Sequence, residues 1–184
     1  GSLQAVSAST LETLWFAKGA TGAQMLSTLT VRDGYVYAAS ADSLDETYHV
    51  ASGTLKRFNL LMGAISGVQA NASTGYYWAG GAFAGGYFVV ADDAGNVSAY
   101  AADLSSLAST LSLGAPVRST LMESDGFLYV VSTDGVLHKL SVGDAGVLSE
   151  VARAKVAASS TSSATIANGH AFVGGASADG TGVL

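Results

Sequence analysis

The chain has 184 residues and a formal net charge of −6, with eight Lys and Arg against fourteen Asp and Glu, and it contains no cysteine. So few basic residues exclude the cationic stripe that a nucleic-acid groove needs, and no nucleic-acid partner is expected. The lack of cysteine excludes disulfides, thiolate metal sites and cysteine nucleophiles, while leaving the compartment open. Twenty-three glycines and a charged fraction of 12% suit many short strands joined by tight turns and disfavour a helical chain. No apolar run approaches the roughly 18 residues of a membrane helix, and no charged-then-apolar leader opens the chain. A soluble piece without membrane insertion is therefore expected, and one domain over residues 1–184.

In chain order, residues 11–17 read as a lone strand, the outer strand of a unit whose other strands do not precede it in the sequence. Residues 24–32, 35–41, 54–61 and 64–70 then give four strands of a first unit, spanning about 24–70. Between its second and third strands lies an insertion, residues 42–52 (DSLDETYHVAS), which is expected on a loop. A second unit, 76–113, has strands at 76–84, 87–91, 96–101 and 107–113. A third, 117–154, has strands at 117–124, 127–132, 136–142 and 147–154. A fourth, 162–184, begins with 162–166 and 170–174 and stops near 181–184 without an outer strand.

The units are copies of one phrase. Asp33-Gly34, Gly85-Gly86, Asp125-Gly126 and Asn168-Gly169 each precede an apolar run, and each run leads to a second glycine, at Gly53, Gly95, Gly135 and Gly182. The clearest copy, residues 118–140, holds two strand-like runs joined by Thr133-Asp134-Gly135, where Asp-Gly supplies the positive φ of a two-residue hairpin turn. A spacing of 40 to 52 residues with about four strands per unit is the signature of a β-propeller blade. The fold expected is all-β: a propeller segment of about four four-stranded blades.

Residues 116–142, PVRSTLMESDGFLYVVSTDGVLHKLSV, resemble the pyrroloquinoline-quinone-type (PQQ-like) propeller repeat, which runs proline, small residues, apolar strand, Asp-Gly, apolar strand, Asp-Gly, strand. Residues 11–22 resemble the end of such a blade, where an outer strand carries a Trp. The resemblance implies a shape more than an activity, because this repeat serves quinoprotein dehydrogenases, outer-membrane assembly scaffolds and cell-surface proteins alike. PQQ-like rings usually have about eight blades, so the chain reads as half a ring. A second copy could complete it as a homodimer, or further blades could; closure of four blades on themselves is the less favoured alternative.

In a blade, the connection between strands two and three and the connection to the next blade emerge on one face. That face is expected to carry the 42–52 insertion with Asp42, Asp45 and Glu46, the 71–75 connection, Asp92, Asp93, Asp134 and Asp179. Clustered carboxylates suit a hard cation or a basic partner; equally, Asp is favoured in tight turns for its local hydrogen bonds. Tyr48 and His49 on the insertion are the best contact residues. Tyr76, Tyr77 and Trp78 lie near the same face and could stack on a sugar or a flat ligand, although strand alternation sends at least one into the core. His49, His138 and His170 fall on different units with no spacing that brings them together, and His138 reads as a surface or partly buried strand residue. No catalytic, metal or phosphate-loop motif appears.

Quinoprotein activity does not carry over. The family's cofactor site needs a vicinal-cysteine disulfide, a stacking Trp and a calcium trio, and this chain has no cysteine and no placeable trio. The expectation is a non-enzymatic binding or scaffolding module without cofactor or metal, from an exported bacterial protein that is extracellular or at the cell surface, with the periplasm as the alternative. Its partner would be a protein or a carbohydrate. The competing reading is a partial or degenerate quinoprotein ring.

Overall fold

The computed structural model describes residues 1–19, 24, 27–44, 50–71 and 73–184. Among the described residues eighteen strands run in chain order: β1 (Leu3–Val6), β2 (Thr13–Ala17), β3 (Thr30–Arg32), β4 (Tyr35–Leu44), β5 (Val50–Asn59), β6 (Ile65–Asn71), β7 (Ala82–Ala84), β8 (Tyr87–Ala91), β9 (Asn96–Ala101), β10 (Leu107–Ser112), β11 (Met122–Ser124), β12 (Phe127–Val131), β13 (Val136–Val142), β14 (Leu148–Lys155), β15 (Thr165–Ala167), β16 (His170–Phe172), β17 (Gly175–Ala176) and β18 (Gly182–Val183). The only helical element among the described residues is a single 3-10 turn, Asp144–Gly146. Three antiparallel four-stranded sheets, β3–β6, β7–β10 and β11–β14, are flanked by the β1–β2 hairpin and by the two-stranded pairs β15–β16 and β17–β18.

Alternation along each strand sets how the sheets stack, because successive side chains leave opposite faces. In the first sheet Val36, Ala38 and Phe58 pack on Leu3 and Trp15 of the hairpin, whereas Tyr37, Ala39 and Leu55 pack on Phe88, Val90 and Tyr100 of the second. In the second sheet Val89, Ala91, Val97 and Ala99 face Leu128, Val130 and Leu140 of the third. On the third sheet's far side Tyr129, Val131 and Leu137 meet Ala164, Ile166 and Val173. The sheets therefore follow one another face to face in chain order, each buried on both sides. Their inner ends converge: Thr120 Oγ1 lies 3.0 Å from Thr28 Oγ1, Gly80 N donates to Thr120 Oγ1 at 3.3 Å, and Thr120 N donates to Ser163 Oγ at 2.9 Å.

Several sequence expectations shift. The strand read over 11–17 is β2, and its partner does precede it: Leu3↔Ala17 and Gln4↔Phe16 pair in a hairpin. Its turn, closed by Leu11 N–Ser7 O and Ser7 N–Glu12 O, carries no Asn-Gly or Asp-Gly signal. The insertion is not all loop, since β4 and β5 continue through Asp42 and Ser52, pairing Ser43↔Ser52 and Leu44↔Val50. The inner strand expected over 76–84 shrinks to β7 because Trp78 takes φ 64° and breaks the extended run.

The four strand one-to-two turns have positive φ at both central residues, as in Asp33 (49°) and Gly34 (80°) or Asp125 (52°) and Gly126 (80°), the mirror-image turn that fits strand twist. Asp134-Gly135 differs. Only Gly135 is left-handed (76°), Gly135 N donates to Ser132 O, and Ser132 N to Val136 O, which makes a three-residue loop ending in a glycine bulge. Asp92 to Gly95 and Ser177 to Gly180 repeat these bonds.

Two glycines separate backbone strain from packing. Gly86 (φ +85°) has nothing within 4 Å of a built Cβ, whereas at Gly95 (φ +84°) that Cβ would sit 2.1 Å from Ala115 O. Gly86→Ala should cost about 1 kcal/mol from left-handed strain alone. Gly95→Ala should exceed roughly 3 kcal/mol, because the obstacle is backbone. Urea unfolding of both variants checks this, and equal losses would contradict the packing.

Candidate functional site

The turns between second and third strands and the connectors between sheets are joined by backbone hydrogen bonds into one surface. Gly75, on the connector from the first to the second sheet, accepts from Asp93 N at 2.9 Å, and Tyr76 N donates back to Ser40 O at 3.3 Å. On the next connector Val117 N donates to Asp92 O at 3.1 Å, and Pro116 O accepts from Thr133 N at 2.8 Å. On the third connector Ser160 N donates to Thr133 O at 3.2 Å. The first connector is thus held by β4 before it and by the turn after it, the second by the turns on both sides, and the third by the turn before it.

The aspartates expected on this face are mostly engaged in local bonds. Asp42 accepts from Ser40 Oγ at 2.6 Å and from Thr54 Oγ1. Asp92 is buried, and its Oδ1 accepts from the backbone N–H groups of Ala94 (3.0 Å) and Asn96 (2.9 Å), its Oδ2 from the side-chain amides of Asn71 and Asn96. Asp134 accepts from Ser132 Oγ at 2.5 Å. Asp93 is buried and grips Arg118 with two bonds, 2.6 Å to Nε and 3.0 Å to Nη2. Asp45, Glu46, Tyr48 and His49 lie outside the described residues. Among the described residues no three His, Asp or Glu side chains gather as a metal site.

The aromatic run divides as alternation requires. Tyr76 is buried in the core between the first and second sheets, and burial, followed by its neighbour Tyr100, pushes its phenol well above the ordinary value. Tyr77 is buried against Ala41 and Val50. Trp78 is 42% exposed, with its ring 4.4 Å from Tyr77. A bulky residue in the left-handed region is an outlier that surrounding structure must hold in place. The Arg118 guanidinium lies 5.0 Å from the Tyr77 ring centroid, its pKa raised chiefly by the hydrogen bonds to Asp93.

Arg118 also lines a cleft of about 570 Å³ between the third sheet and the start of the fourth unit, together with Thr133, Ser159, Ser160, Thr161 and Ser162. Sequence reading named the aromatic run but missed Arg118 and these hydroxyls. The run Ser159-Ser160-Thr161-Ser162-Ser163 was a visible signal, whereas the ion pair joining residues 93 and 118 was not.

A second array has the atom order of a hydrolase triad. His138 Nε2 lies 3.0 Å from Ser132 Oγ, and His138 Nδ1 lies 2.6 Å from Glu150 Oε1. Ser132 is only 1% exposed and its hydroxyl also reaches Asp134, while His138 is 2% exposed. A nucleophile must meet its substrate, so this arrangement ties β12, β13 and β14 together and does not present a reactive hydroxyl. The expectation that His138 was a surface or half-buried residue is corrected toward full burial. Its ring fits the core because both nitrogens find partners.

No protein-family model matches the chain, and no curated protein matches it. Among solved structures it is similar to BamB from Moraxella catarrhalis, with TM-score 0.68 and 21% identity over 98% of this chain and 50% of that one. It is also similar to two computationally designed proteins. For Ika8 the TM-score is 0.61 at 14% identity, covering 86% of this chain and 44% of that chain; for Ika4 it is 0.63 at 15%, covering 90% and 92%. The chain spans about half the length of BamB and less than half of Ika8. The shared fold is the all-β propeller, built from several four-stranded antiparallel sheets.

The Asp93–Arg118 pair should hold the face together. Arg118→Ala strands a carboxylate whose side chain is 2% exposed, and the expected loss is roughly 2–4 kcal/mol in urea unfolding. Adding Asp93→Asn should return part of it. A loss below about 0.5 kcal/mol would mean the pair behaves as an exposed one.

Proposed function

We propose that this chain is a non-catalytic binding or scaffolding propeller segment with PQQ-like repeats, belonging to an exported bacterial protein that works at the cell surface or in the periplasm. It recognises its partner through the face formed by the strand two-to-three turns and the inter-sheet connectors. Asp42, Asp45, Glu46, Tyr48, His49, Asp92, Asp93 and Asp134 belong to that face, Asp92 and Asp93 as its internal struts.

One observation carries the reading: Trp78 is held exposed in a left-handed conformation on a surface whose connectors are bonded to the turns beside them. Backbone strain persists only where the surrounding structure over-determines it, and such positions cluster at ligand clamps and binding surfaces. Reactive geometry points the other way, since the hydroxyl–imidazole–carboxylate array is sealed inside the third sheet.

Two measurements test it. Adding PQQ with calcium should leave the melting temperature unchanged; a rise of several degrees, by linkage, would favour a cofactor-binding quinoprotein ring. A photo-crosslinking residue in place of Trp78 should capture a partner from the cell envelope of the source organism that the same probe at Asp125, at the opposite end of the strands, does not. Equal capture at both positions would overturn the assignment of the face.

A further inference from the structure

Trp78, Arg118 and Thr161 occupy one position of the repeat, each eight residues before the hairpin glycine of its unit, Gly86, Gly126 and Gly169. Three successive units thus present an indole, a guanidinium and a hydroxyl at equivalent places where the inner segments converge. They form a connected series: the Trp78 ring is tilted against Tyr77 at 4.4 Å, Arg118 lies over Tyr77, and Arg118 and Thr161 share the wall of the 570 Å³ cleft. That volume falls in the range of small-molecule sites, roughly 300–1,000 Å³.

The lining chemistry narrows the ligand. Nearly every side chain in the wall is a hydroxyl, and no carboxylate lines it. The sole cation, Arg118, is already bonded twice to Asp93, so an anion would compete with a carboxylate fixed at 2.6 and 3.0 Å. A metal ion would find no charged oxygen. An apolar ligand would strip water from hydroxyls and give nothing back. Ser160 is committed to the wall, donating to Gly174 O at 2.7 Å and accepting from Ser162 N at 3.0 Å. Thr133, Ser159 and Thr161 make no side-chain hydrogen bond among the described residues and keep both donor and acceptor capacity. Gly175 keeps the far wall thin, because a Cβ there would lie 2.5 Å from Ala157 Cβ and 2.8 Å from Ser159 O.

We propose that this cleft is a binding site for a neutral saccharide of one or two rings, with the hydroxyls of Thr133, Ser159 and Thr161 exchanging hydrogen bonds with the sugar and Trp78, joined to the lining residue Arg118 through the Tyr77 ring, offering an apolar ring face further along the same surface. The site deepens the reading of this face as a recognition surface and rests on it.

Saturation-transfer NMR on the intact chain tests the site with glucose, galactose, maltose, cellobiose and trehalose, and with glucuronate and inorganic phosphate as charged comparisons. At least one neutral sugar should give transfer. Thr133→Val with Thr161→Val should weaken it about fivefold or more, the scale of one or two lost hydrogen bonds, without changing the melting temperature. Trp78→Asn, which tolerates the left-handed backbone, should weaken it as well, and Asp125→Asn should not. Absence of transfer from all five sugars, full binding by the double valine variant, or stronger binding of glucuronate or phosphate would each overturn the saccharide site. Capture of a protein partner at position 78 without any sugar signal would leave the recognition face standing while removing this ligand from it.

Discussion

The structure depends on the stitching of each inter-sheet connector to the strand two-to-three turns beside it. A sheet of four short strands buries little by itself, and stacked sheets have many ways to slide. The bonds Asp93 N–Gly75 O, Val117 N–Asp92 O, Thr133 N–Pro116 O and Ser160 N–Thr133 O fix the height at which each sheet meets the next. The apolar faces then interdigitate in a single register, with Leu128, Val130 and Leu140 opposite Val89, Val97 and Ala99. Asp92 shows how turn chemistry serves this end, since one buried carboxylate closes its own turn through Ala94 N and Asn96 N and reaches the previous connector through Asn71.

The same stitching makes a functional surface affordable. Loops on most folds trade order for access, but here the connectors are held by backbone bonds, which side-chain changes leave intact. Trp78, Arg118 and Thr161 can therefore differ in chemistry while occupying one repeat position. The charge of Arg118 is cancelled by Asp93 below the surface, so the cleft beside it is polar without being strongly charged.

Much of the architecture was legible because it is local. Asp33-Gly34, Asp125-Gly126 and Asn168-Gly169 announce hairpins through the backbone geometry that only such pairs adopt easily, and the aromatic and β-branched run at residues 127–131 announces a strand, which the structure buries on both faces. What stayed hidden is non-local or exceptional. The β1 strand is four residues long, and its turn lacks a glycine signal. His138 reads from sequence as a surface or partly buried residue, because its partners Ser132 and Glu150, which satisfy both ring nitrogens, come from neighbouring strands. Trp78 takes a backbone conformation that its residue type argues against, and the Arg118–Asp93 bond joins different sheets. Asp92, Asp93 and Asp134 do lie in turns and Asp42 lies in β4, but whether a turn aspartate points at a ligand or at its own backbone is decided by geometry that composition does not encode.

The most direct test is amide hydrogen exchange at Asp93, Val117, Thr133 and Ser160, whose N–H groups make the stitching bonds. If these bonds set the architecture, the four amides will exchange as slowly as those of the central strands, near the limit set by global unfolding. Exchange as fast as at an exposed loop tip would show that the connectors are not fastened to the turns, and the rigid face built on them would fall.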